Sequence, residues 1–140
     1  MTIGAALIGA WKVVSFVRED LATGVKCDLY GPNPSGYMHY LPNGRMCVIA
    51  VDGDRRPTAR SAGDADKARL FTSMVAYAGS YTVDGDNVIH HIEVSWNQDW
   101  TGTDQVRACK LDRNKLVLRA RMNDPDAGAE VEYTAEFERV

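Results

Sequence analysis

Cysteine is scarce. The three in 140 residues, Cys27, Cys47 and Cys109, are scattered and never form a Cys-x-x-Cys pair. That leaves no disulfide framework and no zinc knuckle, and they are expected as free thiols in a reducing compartment, with a cytoplasmic location. Long apolar runs are missing as well. The segment "IGAALIGAW" has no basic flank before it and turns into "KVVSF", so neither a membrane span nor a signal peptide is expected. No charge of one sign dominates: 16 basic against 19 acidic residues give a net charge of −3, with no electrostatic footprint for nucleic acid or an anionic membrane. No glycine-rich loop opens a helix to cradle a phosphate or dinucleotide, and no serine sits in Gly-x-Ser-x-Gly. Acidic "DGDRRP" (Asp52–Pro57) lacks the ligand pattern of a calcium loop and reads as a solvated turn. No histidine-based metal site is expected: His90 and His91 would point to opposite sides of a strand, and His39 has no carboxylate or thiol at ligand spacing.

What remains is alternation in steps of two between turn signals. It predicts strands near 10–18, 25–30, 36–41, 45–51, 79–84, 87–96, 104–111, 115–122 and 129–139. "LPNG", "VDGDN" and "LDRNK" read as hairpin turns, and the prolines of "GPNPSG" and "NDPDAG" mark loops. Helical period occurs once, in "DADKARLFTSMVAYAG", where Leu70, Phe71, Met74, Val75 and Ala78 make one apolar stripe. Ser61 and Asp64 offer caps at its start and Gly79 a stop, and its position suggests a lid or a static cap over one end of the sheet. Without repeats or linkers, residues 1–140 form a single all-β domain, and eight or nine sequential antiparallel strands manage their edges by closing into a barrel, with a sandwich as the alternative.

Pairing across "LPNG" sets Tyr40 against Met46 and Met38 against Val48. The apolar face (Met38, Tyr40, Met46, Val48, Ala50) is then interior, and Tyr37, His39, Arg45 and Cys47 face outward. In "NVIHHIEVSW", Val88, His90, Ile92, Val94 and Trp96 share one face while His91 sits with Glu93 and Ser95, so His90 points in. In "TDQVRACKL" the wet Lys110 and dry Leu111 turn Gln105, Arg107 and Cys109 inward.

"LIGAWKVVSF" carries the Gly-x-Trp of a lipocalin first strand at Gly9 and Trp11. Together with "YGPNPSGYMHY", "NGRM", "AYAGSY", "HHIE", "WTGTDQVR" and terminal "FERV", in that order, the chain resembles the small stand-alone bacterial lipocalin-like domain proteins from residue 7 to 140. The resemblance implies a small antiparallel calycin-type barrel of eight or nine strands with one α-helix between the fourth and fifth. It also implies that Arg139 packs over Trp11 at the barrel base, a structural role. The family often has tryptophan where Phe137 stands, a departure that touches local packing. Related barrels include transporters, cyclases, isomerases and decarboxylases, so fold alone selects no activity.

A histidine and an arginine inside a greasy barrel are expensive to desolvate unless they meet each other, water or a ligand oxygen. His90 is the candidate general acid or base, and Arg107 the fork that holds a carboxylate, phenolate or enolate. Asp104, Asp99 or Glu93 would instead pair Arg107 if its role were structural. Tyr40, Trp96 and Trp100 are expected as flat walls, with Met38 and Gln105 beside them, and Tyr37 or Tyr77 could polarise a carbonyl. Three readings follow. The first is an enzyme needing neither metal nor organic cofactor, an isomerase, cyclase or lyase (dehydratase) by proton transfer. It would act on a small, mostly apolar molecule with a carboxylate, phenol or carbonyl. The second is a carrier for such a molecule. The third is a collapsed barrel whose outer face joins two copies as a homodimer.

Overall fold

The computed structural model describes residues 3–58, 63–124 and 128–140. Nine strands make one antiparallel sheet: β1 (Gly9–Asp20), β2 (Lys26–Asp28), β3 (Ser35–Tyr40), β4 (Arg45–Val51), β5 (Met74–Asp84), β6 (Asn87–Ser95), β7 (Asp104–Asp112), β8 (Lys115–Asp124) and β9 (Ala129–Arg139). Each of β3 to β8 pairs with the next in sequence, and β1 closes the ring by pairing β3 through Gly9–Lys12 and β9 from Trp11 to Asp20. Eight strands thus form a closed barrel, and β2 continues the β3 side of β1 as a short appendage. Closure removes the unpaired edges that a nine-strand open sheet would carry. Short α1 (Ile3–Leu7) covers one end, and α2 (Asp64–Thr72) links β4 to β5.

The hairpin faces fall as alternation dictates. Tyr40 pairs with Met46 and Met38 with Val48, all four buried with Ala50, while Tyr37, His39, Arg45 and Cys47 are not. At the base, Arg139 lies 4.2 Å over the Trp11 ring and donates to the carbonyls of Ala6 (2.7 Å) and Ile8 (3.1 Å), while Trp11 Nε1 donates to Leu7 O at 2.8 Å. Gly9 runs at φ +139, and a Cβ there would lie 3.0 Å from Arg139 Nη1, so the glycine of Gly-x-Trp makes room for the guanidinium. Phe137 is buried against Phe16 edge-on at 6.0 Å.

Two expectations are corrected. The helix ends at Thr72, and Met74, Val75 and Ala78 belong to β5, which begins five residues before the expected start at 79. Val75 and Tyr77 are buried while Met74, Ala76 and Ala78 are less so, a period of two that the ladder with β4 enforces from Val51↔Met74 onward. A nine-residue helix with no buried residue has little to oppose seven ladder pairs. Its N-cap is Gly63, whose N–H donates to Asp66 at 3.3 Å, with Asp64 inside the first turn; Ser61 lies outside the described residues. The second correction is Val94, which is 62% exposed. Ala78 pairs with Val94 but Gly79 pairs with Ile92, so Glu93 is an extra residue in β6, a bulge that flips the faces beyond it. A Cβ on Gly79 would meet His91 O at 1.9 Å, so this close approach requires glycine.

Candidate functional site

The barrel encloses a partly open cavity of about 240 Å³. Its walls are mostly apolar, with Met38, Val48, Leu118 and Phe137 low down and Trp96 and Trp100 at the α2 side. The two indoles meet edge-on at 5.2 Å, and Trp96 also contacts Phe71 of α2 and donates from Nε1 to its carbonyl at 3.0 Å. Thr72, at the end of α2, borders the cavity.

Four polar residues on β5, β6, β7 and β3 converge on the middle of the barrel. His90 is buried, and apart from tyrosines it is the one buried ionisable side chain among the described residues. Tyr40 Oη lies 2.6 Å from its Nε2 and Tyr77 Oη 2.6 Å from its Nδ1, so both ring nitrogens are occupied by phenols. Alternation along β3, β5 and β6 brings the three side chains to one interior face. Burial first, then the positive charge of Arg107 and the proximity of His91, pushes the His90 pKa down to about 3. Burial lifts Tyr77 to about 12, with Arg107 pulling it back, and lifts Tyr40 well above the usual phenol value. At neutral pH the chain Tyr40–His90–Tyr77 is therefore uncharged, a set of hydrogen bonds rather than an ion pair.

Arg107 pairs with Val88, and His90 with Gln105, which makes Arg107 a diagonal, same-face neighbour of His90 on the adjoining strand. Its Nη1 donates to Gln105 Oε1 at 3.5 Å and Val106 O at 3.2 Å, and it forms no ion pair among the described residues. Two of the three carboxylates considered for it are engaged elsewhere, Asp104 with His91 at 2.8 Å and Glu93 with Arg45, and Asp99 forms no ion pair with it. Part of the guanidinium fork is thus unused and borders the cavity.

The sequence matches the family model of the lipocalin-like domain over residues 8–139. The chain belongs to that family. A search of curated proteins finds no match. A lipocalin-like barrel with a hollow interior is a small-molecule-binding architecture.

Of the residues singled out in the sequence, His90, Arg107, Met38, Tyr77, Trp96 and Trp100 line the lipocalin-like cavity together. Tyr40 sits behind His90 without lining it, and Gln105 faces inward but is occupied with Thr103 and Arg107. Tyr37 is 45% exposed on the outer face, so it polarises nothing inside. Sequence reasoning missed Tyr30 and Tyr133, which also line the cavity, with no hydrogen-bond partner for either hydroxyl among the described residues. Burial, then Tyr133 and Tyr77, raises Tyr30 to about 12. Tyr133 was legible in principle, since Val131, Tyr133, Ala135 and Phe137 alternate along β9; Tyr30 follows β2 and had no strand period to place it.

Proposed function

We propose that this lipocalin-like barrel binds one small, mostly apolar molecule by an acceptor oxygen (carboxylate, phenol or carbonyl) held at Arg107 and Tyr77. The carrying observation is a guanidinium with no carboxylate partner among the described residues, bordering a mostly apolar cavity. Arg107 is half-buried with part of its fork unpaired, and a ligand oxygen would complete that fork. Size supports a modest ligand. A cavity of roughly 150 Å³ accommodates benzene, so about 240 Å³ suits about ten non-hydrogen atoms, an aromatic ring with a short acidic or carbonyl side chain.

Hydrocinnamate is a fitting probe, with calorimetry for affinity and Trp96 and Trp100 fluorescence for occupancy. Arg107→Met is expected to weaken hydrocinnamate about ten- to a hundredfold, the worth of a hydrogen bond to a charged group at about 1.5–3 kcal/mol. Propylbenzene, which has no oxygen, should bind the variant and the wild type alike. Equal losses for both probes, or none for either, would remove Arg107 from the site.

A second reading, cofactor-independent proton-transfer chemistry of the isomerase, cyclase or lyase type, is favoured by the Tyr40–His90–Tyr77 chain. Tyr77 would donate to and polarise the substrate oxygen, and Arg107 would stabilise negative charge developing there. Water in the partly open cavity would take up the carbon-bound proton and return another, and His90, with both nitrogens engaged, would hold Tyr77 in its donor role. Benzylacetone in deuterium oxide separates the readings. An enzyme of this kind exchanges the protons beside the ketone faster than buffer does, and loses that ability in Tyr77→Phe; a carrier leaves the ketone unlabelled.

A further inference from the structure

Tyr40 has a single hydrogen-bond partner among the described residues, His90 Nε2, and its side chain has no exposure at all. Its hydroxyl proton must therefore go to Nε2. If it accepted from Nε2 instead, its own O–H would be buried with nothing to receive it. That choice propagates. With Nε2 accepting, neutral His90 carries its hydrogen on Nδ1 and donates to Tyr77 Oη 2.6 Å away. Tyr77 Oη, supplied from behind, has its own proton left over, and of the two tyrosines bonded to His90 it is Tyr77 that lines the cavity, as Arg107 does. Arg107 donates only.

We infer that Tyr40 is a positioning residue that sets the hydrogen-bond polarity of the cavity, so that Tyr77 presents a donor and the site selects acceptor ligands, carboxylates, phenolates or ketones, over amines. The ligand half of this inference rests on the binding reading above; the proton order does not. Nothing in Tyr40 touches the ligand. It acts through His90, much as a carboxylate fixes the tautomer of a histidine in other sites.

Long-range proton–nitrogen correlation of the histidine rings in nitrogen-15-labelled protein near pH 7.5 reads the order directly, with His39→Gln and His91→Gln assigning the other two rings. The expected His90 has a protonated Nδ1 and a bare Nε2. Tyr40→Phe keeps the ring and deletes only the donor. It is expected to let a second His90 tautomer appear and to weaken benzylacetone two- to fivefold, with propylbenzene unchanged and phenylpropylamine no weaker. A protonated Nε2 in the wild type, or a His90 spectrum indifferent to Tyr40→Phe, would overturn the inference. So would benzylacetone binding the wild type no better than phenylpropylamine while the tautomer is as expected, because polarity would then be set without consequence for selection. If none of the probes binds, the cavity reading of the preceding section fails, and the ring spectrum alone still decides whether Tyr40 orders the protons.

Discussion

His90→Gln should change how the barrel responds to acid. In the folded protein the imidazole titrates at about 3, against 6.5 when free of the barrel, with burial the leading cause and Arg107 the next. Above pH 6.5 the ring is neutral folded or unfolded, and no proton is linked to folding. Between 6.5 and 3 the unfolded chain binds a proton that the folded barrel refuses. Stability contributed by neutral burial is thus complete above 6.5 and is lost as pH falls toward 3. The loss is about 1.4 kcal/mol per pH unit, hence about 3 kcal/mol over the two units to pH 4.5 and about 5 kcal/mol by pH 3. Near neutrality His90→Gln should itself cost about 2 kcal/mol, because two bonds to phenols are remade less well. Urea unfolding of both proteins near pH 7.5 and pH 4.5 gives the comparison, and the surface carboxylates they share cancel in the difference. The wild type should lead at the higher pH, and that lead should shrink by about 3 kcal/mol at the lower one, to zero or past it. A gap that does not move with pH would mean that His90 takes up its proton as easily inside the barrel as outside. The neutral Tyr40–His90–Tyr77 chain would then be a misreading.

Two further substitutions test the frame that holds this site. Gly79→Ala places a Cβ 1.9 Å from His91 O, so β5 and β6 must part at the bulge; a loss of about 2 kcal/mol or more is expected in denaturant unfolding, and an unchanged midpoint would show that the strands do not cross so closely. Arg139→Met removes the cation over Trp11 and the bonds to the carbonyls of Ala6 in α1 and Ile8 just after it. It should cost about 2 kcal/mol, lower Tm and speed hydrogen exchange in residues 3–12 selectively.

The interior wall was legible wherever strict alternation met a short turn. "LPNG" fixed the β3–β4 register, and that register alone sent Tyr40 and Met38 inward. His90 could be assigned by its apolar company and Arg107 by the wetness of Lys110. Two kinds of information were not in the local pattern. The β5 start was hidden because Met74, Val75 and Ala78 continue the helical stripe begun by Leu70 and Phe71, and only pairing with β4, a tertiary fact, makes them strand. The Glu93 bulge was hidden because a single extra residue leaves no compositional mark, yet it turns Val94 out. The partnership of His90 with Tyr40 and Tyr77 lay beyond both, since residues 50 and 13 positions away meet it only through closure of the ring.

That closure has a consequence for how the protein is made. The first strand finds its second neighbour in the last, with Trp11 against Arg139 and Asp20 against Val131, so the staves cannot be locked until nearly the whole polypeptide has left the ribosome. Until then the nascent chain is an open ribbon with two raw borders and its greasy side uncovered, and contacts so distant in sequence form slowly. The hollow and the arginine latch beneath it therefore come into being at the final step of assembly, and a chain cut short by even its last strand would have neither.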